Sequence, residues 1–349
     1  MLDIEQPTRE PTYDKVLGVQ GTIKPAALGK RSVSRLLLDS MGLAAWKTAQ
    51  GASWPLRINP SSGNLHPTES YLLCGSVKEL SATPMVCHYA PKEHSLEVRA
   101  EISRETWMKL TEELPTDSIL IGLTSIHWRE SWKYGERAYR YCQLDIGHAL
   151  AALSLSAAAL GWKARLVDKP GRDELATLLG VAGQTGYNAE EPDCLLVLHP
   201  NGKRDGIGSI NLDALQEFEN LRWQGTANSL SPSADHWERI DEVARAARKP
   251  RQQKEYTAPL LRTEEISYPL YTGSFREIIR QRRSAVAMDG TSSLPASKLY
   301  RVLERTVCRR KTPPFNVLTW PPCVDLALFV HRVEGLDPGL YLLLRTGRK

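Results

Sequence analysis

The sequence predicts a fold that mixes helices and strands, of the α+β or α/β class. Short apolar runs typical of buried strands recur in the first 200 residues, separated by turn-forming segments. Residues 136–162 instead have the composition of a long helix, whose alanines and serines leave little bulk on any face. Such a helix can approach its neighbours closely, so we expect it at the centre of a domain.

The N-terminal elements are predicted from apolar side chains and turns. A helix at residues 32–45 places its leucines on one buried side, and a loop holding Trp46 and Trp54 follows it. Strands are predicted next at residues 70–74, 85–89, 95–98 and 118–125, the second and third forming a hairpin through a turn at 91–94.

The central helix ends near Gly161, which suits the C-terminal end of a helix. A strand at 164–167, a helix at 175–179 and a strand at 194–199 follow. Residues 201–265 are polar and charged, as in a connector, with one helix at 235–248. Beyond them we predict helices at 274–284 and 296–307 and strands at 324–330 and 339–344. The predicted units are an N-terminal extension (1–30), a first domain (31–205), a connector (206–268) and a partial second domain (269–349).

Composition and charge exclude several classes of protein. The net charge is only +5, and basic residues alternate with acids, as in Arg129–Glu130 and Glu136–Arg137, which favours a solvated surface over a nucleic-acid site. Six scattered cysteines without a CxxC pair fit a reduced, cytoplasmic protein. The acidic N-terminus is not a signal peptide, and the longest apolar run, 149–162, is too short to span a bilayer. The histidines show no metal-ligand spacing, so we expect no metal site.

Residues 59–64 are the first candidate site. Adjacent hydroxyls, an amide and backbone N–H groups at a sharp turn could hydrogen-bond the edge of a flat polar heterocycle such as a flavin. A Pro-Ser-Ser-Gly-Asn sequence by itself is more often only a loop.

Lys133 and Tyr134 are the second candidate site, because they are adjacent groups that can carry protons. The alternative is the start of an amphipathic helix whose cations reach solvent. His148 lies in an apolar helix, which favours a hydrogen-bonded core histidine over a catalyst.

Arg282, Arg283 and Ser284 are the third candidate site. Two guanidinium groups and a hydroxyl make a suitable cradle for a phosphate group, although an arginine pair on a surface is common.

In combination these segments resemble a known family. Residues 57–69 have the sequence Arg-Ile-Asn-Pro-Ser-Ser-Gly-Asn-Leu-His-Pro-Thr-Glu, and Lys-Tyr-Gly-Glu-Arg-Ala-Tyr-Arg-Tyr follows at 133–141, with Gly-His at 147–148. This order is similar to the SagB/ThcOx-type branch of the nitroreductases, over roughly residues 30–200. Residues 282–286 resemble the arginine–serine phosphate motif at the start of ordinary nitroreductase domains.

The resemblance implies an α+β nitroreductase fold, with a mixed sheet flanked by helices, and FMN as the cofactor. Nitroreductases are usually homodimers in which one subunit supplies the arginine–serine motif and the other the proline–serine turn. Here the first domain has the turn and the partial second domain the arginines, which implies a fused pseudo-dimer with one FMN site. The implied cofactor ligands are Arg57, Pro60, Ser61, Ser62, Gly63, Asn64, Arg282, Arg283 and Ser284.

The implied reaction is hydride transfer through flavin N5, with NAD(P)H or an organic substrate and with Lys133 or Tyr134 as the catalytic proton-transfer group. An azoline dehydrogenase acting on a modified peptide is the alternative within that class, and a non-catalytic scaffold that kept the fold is the alternative outside it. The second domain stops after its second strand, so we expect either a fragment of a longer protein or a shortened protein whose site a homodimer partner or another chain completes. No nucleic acid or membrane partner is expected.

Overall fold

The structure is a computed structural model, which describes residues 1–19, 21–200, 208–252, 271–309 and 311–345. The helices are α1 (Tyr13–Val16), α2 (Lys30–Leu38), α3 (Arg104–Leu110), α4 (Trp128–Tyr134), α5 (Ala138–Ala159), α6 (Arg172–Leu179), α7 (Leu215–Glu219), α8 (Glu238–Ala246), α9 (Phe275–Gln281) and α10 (Ala296–Glu304). The strands are β1 (Leu43–Ala49), β2 (Ala52–Arg57), β3 (Thr68–Cys74), β4 (Met85–Ala90), β5 (Ser95–Glu101), β6 (Ile119–Ser125), β7 (Trp162–Leu166), β8 (Glu191–Pro200), β9 (Leu294–Pro295), β10 (Leu326–Val330), β11 (Val333–Glu334) and β12 (Gly339–Leu343).

A six-stranded sheet forms the centre of the molecule, with the strand order β5-β4-β3-β6-β8-β7. Helices flank this sheet, so the α+β class is confirmed. The expectation of a mixed sheet is wrong, because all five pairings within it are antiparallel. Strand direction depends on which strands become neighbours, and apolar runs in the sequence carry no information about that.

Both faces of the sheet are buried at its central strands β3 and β6, whereas the edge strand β5 keeps exposed side chains. Leu72 and Ile121 belong to the layer that also contains α2 and α5, whereas Leu73 and Leu120 point into the layer with α3, α6 and α7. Full burial of each such side chain contributes about 1.5–3 kcal/mol. The small side chains of α5 let it lie directly against the first of these layers, as predicted.

The predicted helix at 32–45 is wrong beyond Leu38. The chain turns at Gly42, where an added Cβ would lie 2.6 Å from the carbonyl oxygen of Leu38, and then enters the β1–β2 hairpin. The prediction placed a loop there. Gln50 and Gly51 both have positive φ, 52° and 79°, as a two-residue hairpin turn requires.

The C-terminal part of the chain packs on the first domain through α9. Phe275 is buried with residues of α1 and α5, and Arg276 Nε lies 2.9 Å from the carboxylate of Asp39, at the end of α2. The backbone N–H of Tyr13 donates to the carbonyl of Gly273 at 2.9 Å. The carboxylate of Asp14 accepts hydrogen bonds from Arg301 of α10 at 2.7 Å and from Arg305, the residue after α10, at 2.8 Å.

The chain also forms two small sheets around α10, β9–β11, whose strand β9 directly precedes α10, and β10–β12. Phe329, Leu340 and Leu342 on the second of them are 75%, 68% and 62% exposed. No helix within the described ranges combines the length and the apolar character needed to cross a membrane. Among the same residues no group of histidine, cysteine and acidic side chains could hold a metal ion.

Candidate functional site

The turn that joins β2 to β3 has an unusual backbone. Residues 62–64 form a single 3₁₀ turn, and Gly63, Asn64 and His66 have φ values of 61°, 63° and 52°. Glycine adopts this left-handed conformation freely, but Asn64 and His66 do so at an energetic cost. Three such residues within four positions persist only where the surrounding structure holds them.

Asp145 of α5 holds the turn from below. Its side chain is only 1% exposed, and it accepts hydrogen bonds from the backbone N–H of Ser62 at 3.0 Å and from the Ser62 hydroxyl at 3.2 Å. Burial raises the pKa of Asp145, and hydrogen bonds from Ser61 and Ser62 oppose that rise. The hydroxyls predicted to face a cofactor are therefore also the groups that fix the turn to the central helix.

Hydrogen bonds within the turn complete its anchoring. Ser61 Oγ accepts from the backbone N–H of His66 at 2.8 Å, and Asn64 Nδ2 donates to the carbonyl of Pro55 at 3.0 Å. The side-chain oxygen Oδ1 of Asn64 lies 2.9 Å from Nε2 of His66. The turn thus keeps its shape through its own contacts and through Asp145.

Lys133 and Tyr134 lie directly against the turn. A Cβ built on Gly63 would be 2.6 Å from the Tyr134 hydroxyl oxygen and 3.0 Å from Lys133 Nζ, so a larger residue would displace the ends of these side chains and also strain the backbone. The Tyr134 ring packs on Tyr141 with ring centroids 4.5 Å apart. Two candidate sites that are about 70 residues apart in the sequence therefore form one site.

A buried ion network lies behind the turn. Glu69 is bonded to Arg129 and, at 2.9 Å, to Nε2 of His88. Burial raises the pKa of Glu69, but the hydrogen bond from His88 and the charges of Arg129 and Arg57 outweigh it and lower the pKa to about 2. Burial, together with the charges of Arg57 and Arg129, lowers the pKa of His66 to about 3, so its ring is neutral at neutral pH. Arg57, a predicted cofactor ligand, therefore belongs at least in part to this network.

The predicted phosphate site is only partly brought to the turn. Arg282 Nη2 lies 3.4 Å from the carbonyl oxygen of Ile58, close to Pro60 in the chain. Arg283 Nη1 instead donates to the backbone carbonyls of Arg280 and Arg282 at 2.6 and 2.7 Å. Ser284 is exposed on the extended segment that follows α9. The structure thus places Arg282 beside the turn, and Arg283 and Ser284 in solvent.

Two buried carboxyl groups, Asp145 and Glu130, had no role predicted from the sequence. A lone acid in the apolar helix α5 is a usable signal for Asp145, because a buried carboxylate needs partners. Glu130 was interpreted with Arg129 as part of a solvated, mixed-charge surface. That interpretation is wrong, because Arg129 is 9% and Glu130 0% exposed.

A cleft of about 450 Å³ opens on the other side of α4, between that helix and α8 of the predicted connector. Trp128 and Tyr187 contribute aromatic walls. Trp237 also lines the cleft, and its ring lies 3.1 Å from where a Cβ of Gly135 would be. None of the predicted cofactor ligands lines this cleft.

The residues around the turn fit FMN in the chemistry of their side chains. The exposed guanidinium of Arg282 can pair with a phosphate group. Lys133 and Tyr134 offer an ammonium and a phenol beside Gly63 of the turn. This set combines a cation for an anionic tail with hydrogen-bonding groups for a polar ring.

Comparison with known proteins finds similar folds. Residues 30–196 match the model of the Nitroreductase family. A putative nitroreductase from Anabaena variabilis has 22% identity and a TM-score of 0.64, and the match covers 89% of this chain. The chain spans 65% of the length of that structure. The predicted nitroreductase fold is thus confirmed.

Two further structures are less similar. The E. coli microcin synthetase McbBCD complex with truncated pro-MccB17 bound has 20% identity and a TM-score of 0.41, covering 58% of this chain and 75% of the other. A putative nitroreductase in complex with FMN from Exiguobacterium sibiricum has 13% identity and a TM-score of 0.32, covering 59% of this chain and 95% of the other. No curated protein sequence matches the chain.

Proposed function

We propose that the chain, in which residues 30–196 match the Nitroreductase family, is an FMN-dependent oxidoreductase of the SagB/ThcOx-type branch. The contact of Lys133 and Tyr134 with Gly63 carries this proposal. It sets two groups that can exchange protons against the turn that we expect to meet the flavin ring. FMN supplies a hydride acceptor and donor at its N5 atom, and NAD(P)H or an organic substrate is the second reactant.

The turn and the segment after α9 have separate roles in this proposal. Arg282 pairs with the phosphate, and Arg283 and Ser284, which follow it on the same exposed segment, remain predicted partners. The turn faces the edge of the ring, and Asp145 keeps it in the conformation that binding requires.

Lys133 and Tyr134 hold and move the proton that accompanies hydride transfer. Lys133 Nζ lies 5.6 Å from the centre of the Tyr134 ring, and both side chains end beside Gly63, where a substrate placed over the turn would meet them. The same pair favours a second candidate reaction, the dehydrogenation of an azoline ring in a modified peptide, which requires removal of a proton from carbon. If the chain is not an enzyme, the alternative is a non-catalytic scaffold that kept the fold.

We propose that the C-terminal part is an incomplete second nitroreductase-like domain. The docking of α9 on the first domain, with Arg282 next to the turn, supports a pseudo-dimer. The exposed apolar side chains of β10 and β12 support its completion by a homodimer partner or by another chain. All six cysteines are free thiols, which supports a cytoplasmic location.

The proposal is tested first by the visible absorption spectrum of the purified chain, with release and identification of any flavin. We expect the bands of oxidised flavin, with about one FMN per chain or per dimer, and NAD(P)H oxidation in the loaded protein. A colourless chain that takes up no added FMN would favour the scaffold alternative instead.

Two variants connect this result to the residues. The double variant Arg282→Ala, Arg283→Ala should weaken FMN binding by about 10–100-fold, since a hydrogen bond to a charged group contributes about 1.5–3 kcal/mol. Arg222→Ala, at an exposed arginine after α7, is the matched control and should bind FMN normally. Unchanged turnover in a Lys133→Ala, Tyr134→Phe variant that retains FMN would remove both residues from the mechanism.

A further inference from the structure

Glu130 is a fully buried acid with no visible partner. It lies in α4 with 0% exposure, and neither of its carboxyl oxygens has a hydrogen-bond partner among the residues that the structure describes. An ionised carboxylate in such a place loses its hydration without compensation, which costs several kcal/mol. The protonated, neutral acid avoids that cost.

The position of Glu130 relates it to the site around the turn. It precedes Lys133 by three residues in α4, and side chains with that spacing lie on one helix face with their Cβ atoms about 5–6 Å apart. Asp145 and Cys142 of α5 lie close enough to Glu130 to interact with its charge. Asp145 is already occupied by the hydroxyl and N–H groups of the turn, so it offers Glu130 a like charge and no proton.

These neighbours determine the ionisation of Glu130. Burial, with the charge of Asp145, raises the pKa of Glu130 to about 8, and Lys133 opposes the rise. Arg129, its neighbour in the sequence, is bonded instead to Glu69 and to the carbonyl of His66.

Building on the proposed function, we propose that Glu130 is a positioning residue that stores a proton and exchanges it with Lys133. After Lys133 gives a proton to the substrate, the O–H bond of Glu130 breaks and an N–H bond on Lys133 Nζ forms. A carboxylate then faces an ammonium group until Lys133 returns the proton to Glu130 and, being exposed, takes another from solvent. The hydride of the same reaction comes from the NAD(P)H or organic substrate named above, so this step moves a proton only.

Infrared spectroscopy of the full chain tests the proposal without cofactor. We expect the carbonyl band of a protonated carboxylic acid at pH 7, titrating with a midpoint near 8, and absent from Glu130→Gln. Burial also raises the pKa of Asp193 to about 7, so Asp193→Asn is the matched control and must leave the Glu130 band in place. Absence of the band from the unaltered chain at pH 7 would overturn the proposal.

Coupling to Lys133 is measured in the same flavin-free protein. Lys133→Met removes a positive charge that favours ionisation, so the midpoint of the Glu130 band should move to higher pH. An unchanged midpoint would overturn the exchange step, whether or not the chain binds FMN. A protein without flavin contradicts the proposed function alone, because the infrared results still decide the state of Glu130.

The loaded protein adds a kinetic readout. Glu130→Gln should lower kcat about 10–100-fold with little change in KM and should shift the alkaline limb of the pH profile, while Glu130→Asp recovers part of the activity. An unaltered pH profile in a Glu130→Gln protein that keeps its FMN contradicts the proposal.

Thermal unfolding verifies that each variant folds. The pKa of Glu130 in the folded protein is raised above the usual 4.5 to about 8. The contribution of protonated Glu130 to the unfolding free energy is therefore complete below pH 4.5 and is lost as the pH rises through 8. Glu130→Gln should therefore lose less stability than the unaltered chain between pH 6 and 9.

Discussion

The turn at residues 60–64 is held by buried partners, whereas the segment at 282–284 is held mainly by its own backbone. The turn rests on Asp145 and has Lys133 and Tyr134 against Gly63. Among the residues that the structure describes, the segment has one long contact to the turn region, from Arg282, and Arg283 bonds only to nearby carbonyls. The two regions that we expect to share one cofactor are thus prepared for it to different degrees.

This difference indicates how the loss of conformational freedom on FMN binding is divided between the two regions. A preorganised ring site loses little conformational freedom when a ligand arrives, whereas an exposed phosphate segment must be ordered at that moment. The phosphate contacts therefore supply attraction, and the turn supplies geometry. Variants in the two regions should separate these contributions, and the largest effect is expected where the regions are joined.

Arg276 of α9 joins the two regions. It forms a buried ion pair with Asp39, and the phosphate segment follows α9 directly. Arg276→Ala leaves the Asp39 carboxylate buried without its closest partner and should cost about 3 kcal/mol of unfolding free energy in urea. FMN uptake should fall with it, since α9 then no longer holds Arg282 near the turn. Arg283→Ala, at an exposed position, should stay within about 0.5 kcal/mol. Equal stability of the two variants would show that the regions are not joined there.

Asp145 tests the turn itself. Asp145→Ala leaves the Ser62 N–H and both hydroxyls without their acceptor and should cost about 2–3 kcal/mol in the same urea titration. Asp145→Asn retains one acceptor oxygen and should lose about 1 kcal/mol. Proteolysis at the turn should follow the same order. If Asp145→Ala unfolds at the same urea concentration as the unaltered chain, the turn is fixed by other contacts.

Gly63 gives the smallest of the three effects. Gly63→Ala requires an alanine with φ near 61° and pushes its Cβ against Tyr134, at a cost of about 1–2 kcal/mol. The matched control is Gly147→Ala in α5, where nothing lies within 4 Å of the new Cβ. That substitution should stabilise the helix by about 0.5–1 kcal/mol, because glycine is the poorer helix former. Destabilisation of both variants by the same amount would contradict the argument from local geometry.

Elements whose signal is local were predictable from the sequence. The strand predicted at 118–125 is Ile119–Ser125, and the central helix predicted at 136–162 is Ala138–Ala159, because continuous apolar character and small side chains each reflect a buried environment. The β1–β2 hairpin was missed because Leu43 and the alanines after it also suit a helix, and only pairing with β2 decides between the two.

The candidate site was predictable as residue types and not as a network. The Ser61–Asn64 turn and Lys133–Tyr134 could be selected because hydroxyls, amide and proton carriers occur next to each other. The supports, Asp145 and Glu130, could not be assigned roles, because their partners lie on other elements. Similarly, nothing in the sequence separates Arg282 from Arg283; the end of α9 turns one toward Ile58 and the other into solvent.

The contacts between residues 12–14 and the C-terminal part have a consequence for the order in which the protein folds. Tyr13 pairs with Gly273, and Asp14 with Arg301 and Arg305, so these contacts join parts of the chain made about 260–290 residues apart. A ribosome adds roughly 5–20 residues per second, so the N-terminal segment waits on the order of tens of seconds for its partners. The six-stranded sheet, whose strands all precede residue 201, can form during that interval with α1 packed on α5, and the contacts of α1 with α9 and α10 follow when those helices emerge.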